Sequence, residues 1–373
     1  MEGCIQEVSG GDILIKAQTK QQHLVLAGGY GVVGTGVVGH FLGQAQWRLT
    51  TVGRSEAPSQ LWDGRVPPAH LRADLQDSDG VRGSFSNLSD ATALAYCAYV
   101  ERESMEATIA PNVAMLANAI DGLMSAGAPL RHVVLIGGGK SYGEHLGPYK
   151  TPAKEYDPRF MGPNFYNDQE DLLRERAERY GFSWTVLRPD AVWGPSIGSP
   201  MNLLQGIAVF AAISKELQVP LRFPGNLSAW RALHQATDAA LLGEAVEWAL
   251  GSDAAKGEIF NVINGDQFRW EHLWPAIAEN FDLDTAPPQP MNLIHQMKDK
   301  AKLWQSMTER YGIAGTAWER LVAWPFVDAC LNLNYDLVQS TIKIRQAGFH
   351  SCRDTHDAVL GALENLRKHR IVP

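Results

Sequence analysis

The distribution of apolar residues along the chain predicts strands that alternate with helices. The segment HLVLAGG (23–29) is an almost continuous apolar run, which is typical of a buried parallel strand, and GVVGTGVVGHFLG (31–43) has the pattern of the helix that follows it. Further runs of strand character lie at 48–53, 70–75, 91–99, 132–138, 183–189 and 258–264. Apolar residues at helical spacing occupy 104–126, 167–180 and 237–250.

This alternation predicts an α/β fold with a doubly wound parallel Rossmann sheet. We expect a polar N-terminal arm over 1–22, a Rossmann domain over 23–194 and a mostly helical substrate-binding region over 195–373. Because 258–264 still has strand character, the stretch from about 235 to 265 is expected to return to the Rossmann sheet. The two regions therefore interleave.

Composition narrows the class of protein. The chain has 373 residues, of which 45% are hydrophobic, and carries a formal net charge of −8, so it can bury a large core and has no overall basic surface. Nucleic acid is therefore not an expected partner. The N-terminus lacks a secretory signal pattern, and no later stretch approaches a membrane-spanning length, so we expect a cytoplasmic protein without membrane association. The four cysteines are widely spread and predict neither a disulfide framework nor a metal site.

A glycine-rich turn joins the first predicted strand to its helix. Gly28, Gly31 and Gly34 have the spacing GxxGxxG, which lets a backbone turn tightly and approach a pyrophosphate at the helix N-terminus. About 20 residues later, where NAD enzymes usually carry a carboxylate, this chain has Arg54. A guanidinium there suits the 2′-phosphate of NADP, although an ordinary solvated arginine is the alternative.

The residues for chemistry do not follow the usual pattern of short-chain dehydrogenases. Those enzymes use a tyrosine with a lysine four residues later, and none of the ten tyrosines here has that lysine. Tyr166 is the best candidate, at the start of a predicted helix, but its +4 residue is Glu170, whose charge would raise the phenol pKa. Lys140, after three glycines that follow the fifth strand, is the candidate partner, and a solvated loop lysine is an equal alternative.

These segments resemble the progesterone 5β-reductase and iridoid synthase-like (PRISE) family of atypical extended short-chain dehydrogenases/reductases. GGGKSYGEHLGPY matches the family's lysine loop TGxKHYxGPF, NFYNDQED matches NFYYxxED, and SWTVLRPDAVWG matches WSVHRPGxIFG. The resemblance covers nearly the whole chain and implies Tyr166 as the catalytic tyrosine with Lys140 as its partner.

The resemblance also implies the contacts of an NADP(H) cofactor. With the glycines of the turn, the expected contact residues are Gly28, Tyr30, Gly31, Val32, Gly34, Arg54, Ser55, Asp74, Leu75, Ala98, Tyr99, Val192, Ser199 and Met201. The chain departs from the family pattern at Asn167, Ser141 and Ala191, which puts the identity of the substrate in doubt more than the use of the cofactor.

The function implied is an NADPH-dependent 1,4-reduction of enones or enals, with a small apolar carbonyl compound as substrate. The Trp-rich later region is expected either to wall an apolar pocket or to form core. Two alternatives stay open: a 1,2-carbonyl reductase or epimerase of the extended group, and a catalytically silent NADP-sensing regulator. Oligomeric state is open as well, with a homodimer as one possible assembly.

Overall fold

The computed structural model describes residues 21–58, 60–313 and 315–373. The polar arm predicted over 1–22 lies outside these residues except for its last two, and Gln22 already belongs to the first strand. Within the described residues the strands are β1 (Gln22–Ala27), β2 (Trp47–Gly53), β3 (Ala69–Arg72), β4 (Ala93–Tyr96), β5 (His132–Ile136), β6 (Ser183–Pro189), β7 (Val192–Trp193), β8 (Leu221–Arg222), β9 (Thr237–Asp238), β10 (Glu258–Val262) and β11 (Thr285–Ala286).

Helices connect and cover these strands. In the same residues they are α1 (Val32–Phe41), α2 (Ser78–Phe85), α3 (Met105–Ser125), α4 (Phe165–Tyr180), α5 (Leu203–Glu216), α6 (Leu227–Arg231), α7 (Ala239–Gly251), α8 (Trp270–Asn280), α9 (Leu293–Gln296), α10 (Ala301–Tyr311), α11 (Trp318–Leu321), α12 (Trp324–Leu331), α13 (Ile342–Gln346) and α14 (Thr355–Lys368). None of them is long and apolar enough to cross a membrane, within the part of the chain described.

Seven of the described strands form one parallel sheet in the order β10-β6-β5-β4-β1-β2-β3. The order reverses between β1 and β4, which is where open α/β sheets bind their ligands. The expected doubly wound Rossmann sheet is therefore confirmed, including the return of a late strand, β10, to its edge. The third strand is shorter than expected: it ends at Arg72, so Asp74 and Leu75 lie in the following turn.

The sheet separates two apolar layers, because successive side chains of a strand point to opposite faces. Along β1, Leu24 and Leu26 face the layer that contains α1, α7 and most of the C-terminal helices, whereas Val25 and Ala27 face the layer of α2, α3 and α4. The first layer continues to Val372 without a break. The division at about residue 194 into a cofactor domain and a substrate region stays a prediction.

Candidate active site

The carboxyl ends of the parallel strands gather the candidate residues at one edge of the sheet. Gly28 follows β1, Arg54 follows β2, Ala98 lies two residues after β4, and Lys140 follows β5. Because parallel strands all point the same way, these positions share one edge, although they are spread over more than 100 residues of sequence.

The turn between β1 and α1 contains two positions that admit only glycine. Gly28 has φ 85°, and a Cβ there would lie 2.7 Å from the backbone nitrogen of Ala98. A Cβ at Gly34 would lie 2.2 Å from the carbonyl oxygen of Gly28, so neither position accepts a side chain. Helix α1 begins after Gly31, which offers no side-chain cap, and its first turn carries no acidic residue. The N-terminal N–H groups of α1 are therefore suited to an anion.

Two arginines lie at the ends of neighbouring strands beside this turn. Arg54 is exposed directly after β2, and exposed Arg72 is the last residue of β3, where its Cα is the partner of Gly53. Arg72 did not emerge from the sequence pattern, because the third strand was expected to run on to Leu75. Together the two guanidinium groups make this corner positive at the place where the 2′-phosphate of NADP is expected.

The other expected cofactor contacts lie around the same edge, but not all present their side chains to it. The Tyr30 ring is buried, and its hydroxyl hydrogen-bonds to Thr51 at 2.7 Å, so only its backbone is left for a cofactor. Leu75 is buried and Asp74 is exposed. Ser199 approaches the glycine turn from the substrate side, 3.9 Å from the position of a Cβ at Gly31. The partly exposed residues at this edge include Gly31, Val32, Ala98, Val192, Ser199 and Met201.

One buried asparagine connects the elements that carry Tyr166 and Lys140. Asn164 caps α4 by accepting a hydrogen bond from the backbone N–H of Tyr166 at 3.0 Å. Its Nδ2 donates to the carbonyl oxygen of Lys140 at 2.7 Å. Since Asn164 is 2% exposed, both bonds are shielded from water. The lysine turn and the tyrosine helix are thus held in a fixed relative position.

The glycines before Lys140 leave room for two polar groups. A Cβ at Gly138 would lie 2.9 Å from the Tyr166 hydroxyl oxygen, and one at Gly139 would lie 2.2 Å from a carboxyl oxygen of Glu144. Gly138 is extended, with φ −176°, so its requirement for glycine is one of space and not of backbone conformation. Glycine at these two positions therefore lets the Tyr166 hydroxyl and the Glu144 carboxyl approach the backbone of the turn that leads to Lys140.

The phenol of Tyr166 is held in its neutral form. Burial, followed by the neighbouring Tyr99 and Glu144, raises the pKa of Tyr166. Glu170, which the sequence placed on the same helix face, does not take part: its carboxylate binds buried Arg188 at 2.7 Å and also contacts Arg159. A neutral phenol at this position is a hydrogen-bond donor and not a base at physiological pH.

Four of the late tryptophans are core residues, whereas Trp230 and Trp318 are partly exposed. Trp270, Trp274, Trp304 and Trp324 are all buried in the large apolar layer, where Trp270 and Trp274 pack edge to face. These four side chains are therefore core. Within residues 21–58, 60–313 and 315–373 no group of three or more His, Cys, Asp or Glu side chains is arranged to hold a metal ion.

Several polar residues near Lys140 were not found from the sequence. Glu144, Asp190, Gln235 and Gln339 come together from four separate segments beside the lysine turn. The signals for them are weak: Glu144 lies four residues after Lys140, and Asp190 lies within the segment SWTVLRPDAVWG. That spacing alone does not indicate a buried carboxyl group.

Comparisons with known proteins agree over almost the whole chain. A family model described as a PRISE-like Rossmann-fold domain matches residues 72–373. An (S)-8-oxocitronellyl enol synthase from Camptotheca acuminata is 32% identical over 359 residues, which is 91% of each chain. A 3-oxo-Delta(4,5)-steroid 5-beta-reductase from Arabidopsis thaliana is 31% identical, again with 91% of each chain covered.

Solved structures share the fold at much lower identity. A UDP-glucose 4-epimerase from Thermotoga maritima, solved with UDP-glucose, superposes with a TM-score of 0.67 at 14% identity, covering 93% of this chain and 99% of its own. The UDP-glucose 4-epimerase of Thermus thermophilus, solved with NAD, gives 0.62 at 18% identity with the same coverage. At these identities the likeness concerns the fold alone.

Proposed function

The chain belongs to the PRISE-like Rossmann-fold family, and from that premise we propose that it is an NADPH-dependent reductase of the activated C=C bonds of enones and enals. The observation that carries the proposal is the placement of the Tyr166 hydroxyl over Gly138, in the turn that leads to Lys140. This arrangement replaces the usual tyrosine–lysine pair on one helix.

The residues around the glycine turn fit a dinucleotide that carries a 2′-phosphate. Gly28, Gly34 and the N-terminus of α1 suit the pyrophosphate, and Arg54 with Arg72 suits the extra phosphate. No carboxylate occupies the residue after β2, where NAD enzymes hold the ribose hydroxyls. We therefore assign NADP(H) as the cofactor.

The chemistry follows from the state of Tyr166. The bound cofactor supplies a hydride to the β-carbon of the substrate, after which negative charge lies on the carbonyl oxygen as an enolate. A neutral Tyr166 donates a hydrogen bond to that oxygen, which lowers the barrier by about 3 kcal/mol if it resembles other oxyanion donors. Lys140 adds a positive charge on the same side, and a proton from water then completes the α-carbon.

The identity of the product tests this proposal. Purified enzyme is mixed with NADPH and a panel of enals and enones, and the product is identified by mass and NMR spectroscopy. We expect a saturated aldehyde or ketone, or its enol, with one deuterium at the β-carbon when deuterated NADPH is used. An allylic alcohol with an intact C=C bond would instead identify a 1,2-carbonyl reductase. Cofactor binding without turnover of any substrate would favour a catalytically silent NADP-sensing regulator.

A further inference from the structure

A buried carboxyl and carboxamide pair lies beside the glycines that precede Lys140. Glu144 follows Lys140 by one turn, and Gln339 comes from the segment before α13. Their side chains are 9% and 2% exposed, and they lie close enough for the Gln339 amide to act on the Glu144 carboxyl. Neither residue belongs to the cofactor edge described above.

Asp190 lies near Glu144 and is linked to Gln339 through Gln235. Asp190 accepts hydrogen bonds from Gln235 Nε2 at 2.7 Å and from the backbone N–H of Ala191 at 2.7 Å. Gln235 in turn accepts a hydrogen bond from the backbone N–H of Gln339 at 2.7 Å. Burial raises the pKa of Asp190, and these two hydrogen bonds oppose that shift. The same chain of contacts fixes the position of Gln339.

Glu144 and Gln339 keep polar atoms that the protein itself does not satisfy. In the part of the chain that the structure describes, no partner with hydrogen-bond geometry meets Glu144 Oε2, Gln339 Nε2 or Gln339 Oε1. Burial and the nearby Asp190 carboxylate raise the pKa of Glu144 well above its usual range, against the opposing effect of Lys140. A neutral carboxyl group beside an amide offers both donors and acceptors. Buried groups of this kind are nearly always paired, so a ligand group is expected to meet them.

The pair lies within reach of a substrate held by Tyr166. The Tyr166 hydroxyl contacts the Cβ position of Gly138, and the Glu144 carboxyl contacts that of the next residue, Gly139. Since neighbouring Cα atoms are about 3.8 Å apart, the two oxygens are separated by no more than about 12 Å. A small molecule of that length is therefore long enough to span the two groups.

We propose that Glu144 and Gln339 form a hydroxyl-binding subsite, so that the preferred substrates are enones or enals that carry a hydroxyl group remote from the carbonyl. This proposal rests on the function proposed above and names its substrate class. A hydroxyl both donates and accepts, as the pair requires. Burial raises the pKa of both Glu144 and Asp190, so this buried environment disfavours charged groups, and a neutral hydroxyl suits it better than an ammonium or a carboxylate.

The experiment compares matched substrates that differ only at their remote end. The series is (E)-2-enals of about six to eight carbons, a length that fits the separation of the two groups. Each is used with a terminal hydroxyl, with a terminal methyl ether and without a substituent. At saturating NADPH we expect the hydroxy-enal to have a kcat/KM about 10-fold or more above the other two, mainly through KM, because the unsubstituted end leaves buried polar groups unpaired.

Variants of Glu144 and Gln339 then show whether these residues cause the preference for the hydroxy-enal. Glu144→Leu and Gln339→Leu should each reduce the ratio of kcat/KM between hydroxy-enal and unsubstituted enal towards one. Glu144→Gln, which keeps a donor and an acceptor, should retain most of the ratio. Glu178→Leu, on the exposed face of α4, is the matched control and should leave the ratio unchanged.

The outcomes separate this inference from the proposed function. If the wild-type enzyme reduces hydroxy-enals and unsubstituted enals equally well, the subsite is wrong while the enal reductase stands, and this comparison does not depend on any variant folding. If both leucine variants keep the preference, the hydroxyl is bound elsewhere and the assignment is overturned. If no enal is reduced at its C=C bond, the proposed function itself fails.

Discussion

The side chain of Asn164 hydrogen-bonds to the backbone of both Tyr166 and Lys140, and we predict that these two residues act as one unit. We expect Tyr166→Phe or Lys140→Met to lower kcat by about 100-fold or more, which is the range for a positioned proton donor or oxyanion stabiliser. NADPH binding, measured by fluorescence titration, should survive better in the tyrosine variant. The assay uses a weakly activated enone at saturating NADPH, because a very electrophilic substrate needs less enolate stabilisation.

The double variant tests whether the two residues act together. If they form one unit, the double variant with Tyr166→Phe and Lys140→Met should lower kcat little more than either change alone. Losses that simply multiply would mean that the residues act independently, and near-full kcat in both single variants would remove them from the chemistry.

Gly138 determines where the Tyr166 hydroxyl can lie. A methyl group in Gly138→Ala would lie 2.9 Å from the hydroxyl oxygen and 3.1 Å from Cζ, so the phenol must shift by a few tenths of an ångström. We expect kcat to fall about 10-fold, since small displacements of a catalytic group are costly, with little change in NADPH affinity. Gly137→Ala is the matched control, because its methyl group would lie 3.4 Å from Arg188 Cγ, an ordinary contact, and it should keep most of its kcat.

Arg54 and Arg72 form the positive corner beside the glycine turn. Arg54→Ala should weaken NADPH binding by about 10-fold or more and NADH binding much less, because only NADPH has a phosphate for the guanidinium. Arg72→Ala should also weaken NADPH binding more than NADH binding, but by a smaller amount. Dissociation constants for both cofactors provide the measurement, and equal losses for NADPH and NADH would place the 2′-phosphate elsewhere.

The polar residues near Lys140 show why the site was only partly predictable. Lys140 and Tyr166 stand in local motifs, so sequence patterns find them. Gln235 and Gln339 stand in no such motif, and Asp190, although it lies within SWTVLRPDAVWG, is not marked there as a site residue. The three residues meet because the end of β6, a later loop and the segment before α13 converge in the fold. Contacts between residues more than 40 positions apart are set by packing, which a single sequence does not reveal.

Among the elements, α4 is attached to β6 by a buried ion pair. Glu170 on the helix is 1% exposed and binds Arg188 on the strand through Nε at 3.0 Å and Nη2 at 2.7 Å. Glu170→Met leaves the Arg188 guanidinium buried without its main counter-charge. We expect the free energy of unfolding to fall by about 3 kcal/mol, measured by urea denaturation.

Two further variants show whether the lower unfolding free energy of Glu170→Met comes from the unpaired charge of Arg188. Adding Arg188→Met to Glu170→Met should recover most of the stability, because an apolar pair of similar volume replaces the ions. Glu175→Met, at an exposed position of the same helix, should change the unfolding free energy by less than about 0.5 kcal/mol. A double variant as unstable as the single one would point to packing instead.

The element order was predictable because each buried parallel strand is a short apolar run between turns. All seven runs appear in the sheet, and β6 has the bounds expected for it. The predicted third strand was too long, because Asp74 and Leu75 continue its polar–apolar alternation. In the structure the carbonyl oxygen of Asp74 instead accepts a turn hydrogen bond from the backbone N–H of Asp77. That turn leads into α2, whose cap is Asp77. Local capping therefore ended the strand earlier than its apolar pattern indicated.

For the whole molecule, the buried histidines predict sensitivity to acid. Burial, and then the charge of Lys256, lowers the pKa of His132 to about 4, and its Nε2 lies 2.9 Å from Thr185 Oγ1. Because the unfolded chain has the ordinary value of 6.5, it binds more protons than the folded protein between about pH 4 and 6.5. This contribution to stability is complete above pH 6.5 and decreases as the pH falls towards 4, by about 3 kcal/mol.

His132→Gln isolates this effect from that of the other histidines. Glutamine retains a donor for Thr185 and does not titrate, so the variant should lose about 3 kcal/mol less unfolding free energy between pH 7 and pH 4 than the wild-type protein. Urea unfolding at several pH values provides the comparison. Parallel pH curves for the two proteins would show that His132 is not the group responsible.

The contact between the last helix and the loop after β2 has a consequence for the folding of the chain during its synthesis. His369 Nδ1 lies 2.9 Å from the carbonyl oxygen of Gln60, and Lys368 pairs with Asp63 at 2.8 Å, across 309 residues of sequence in the first case. At a synthesis rate of about 5–20 residues per second, the ribosome needs roughly 15 to 60 seconds to deliver the second partner after the first. During that interval the segment that follows Arg54 lacks these two contacts, so we expect it to reach its final conformation only after the last helix has been synthesised.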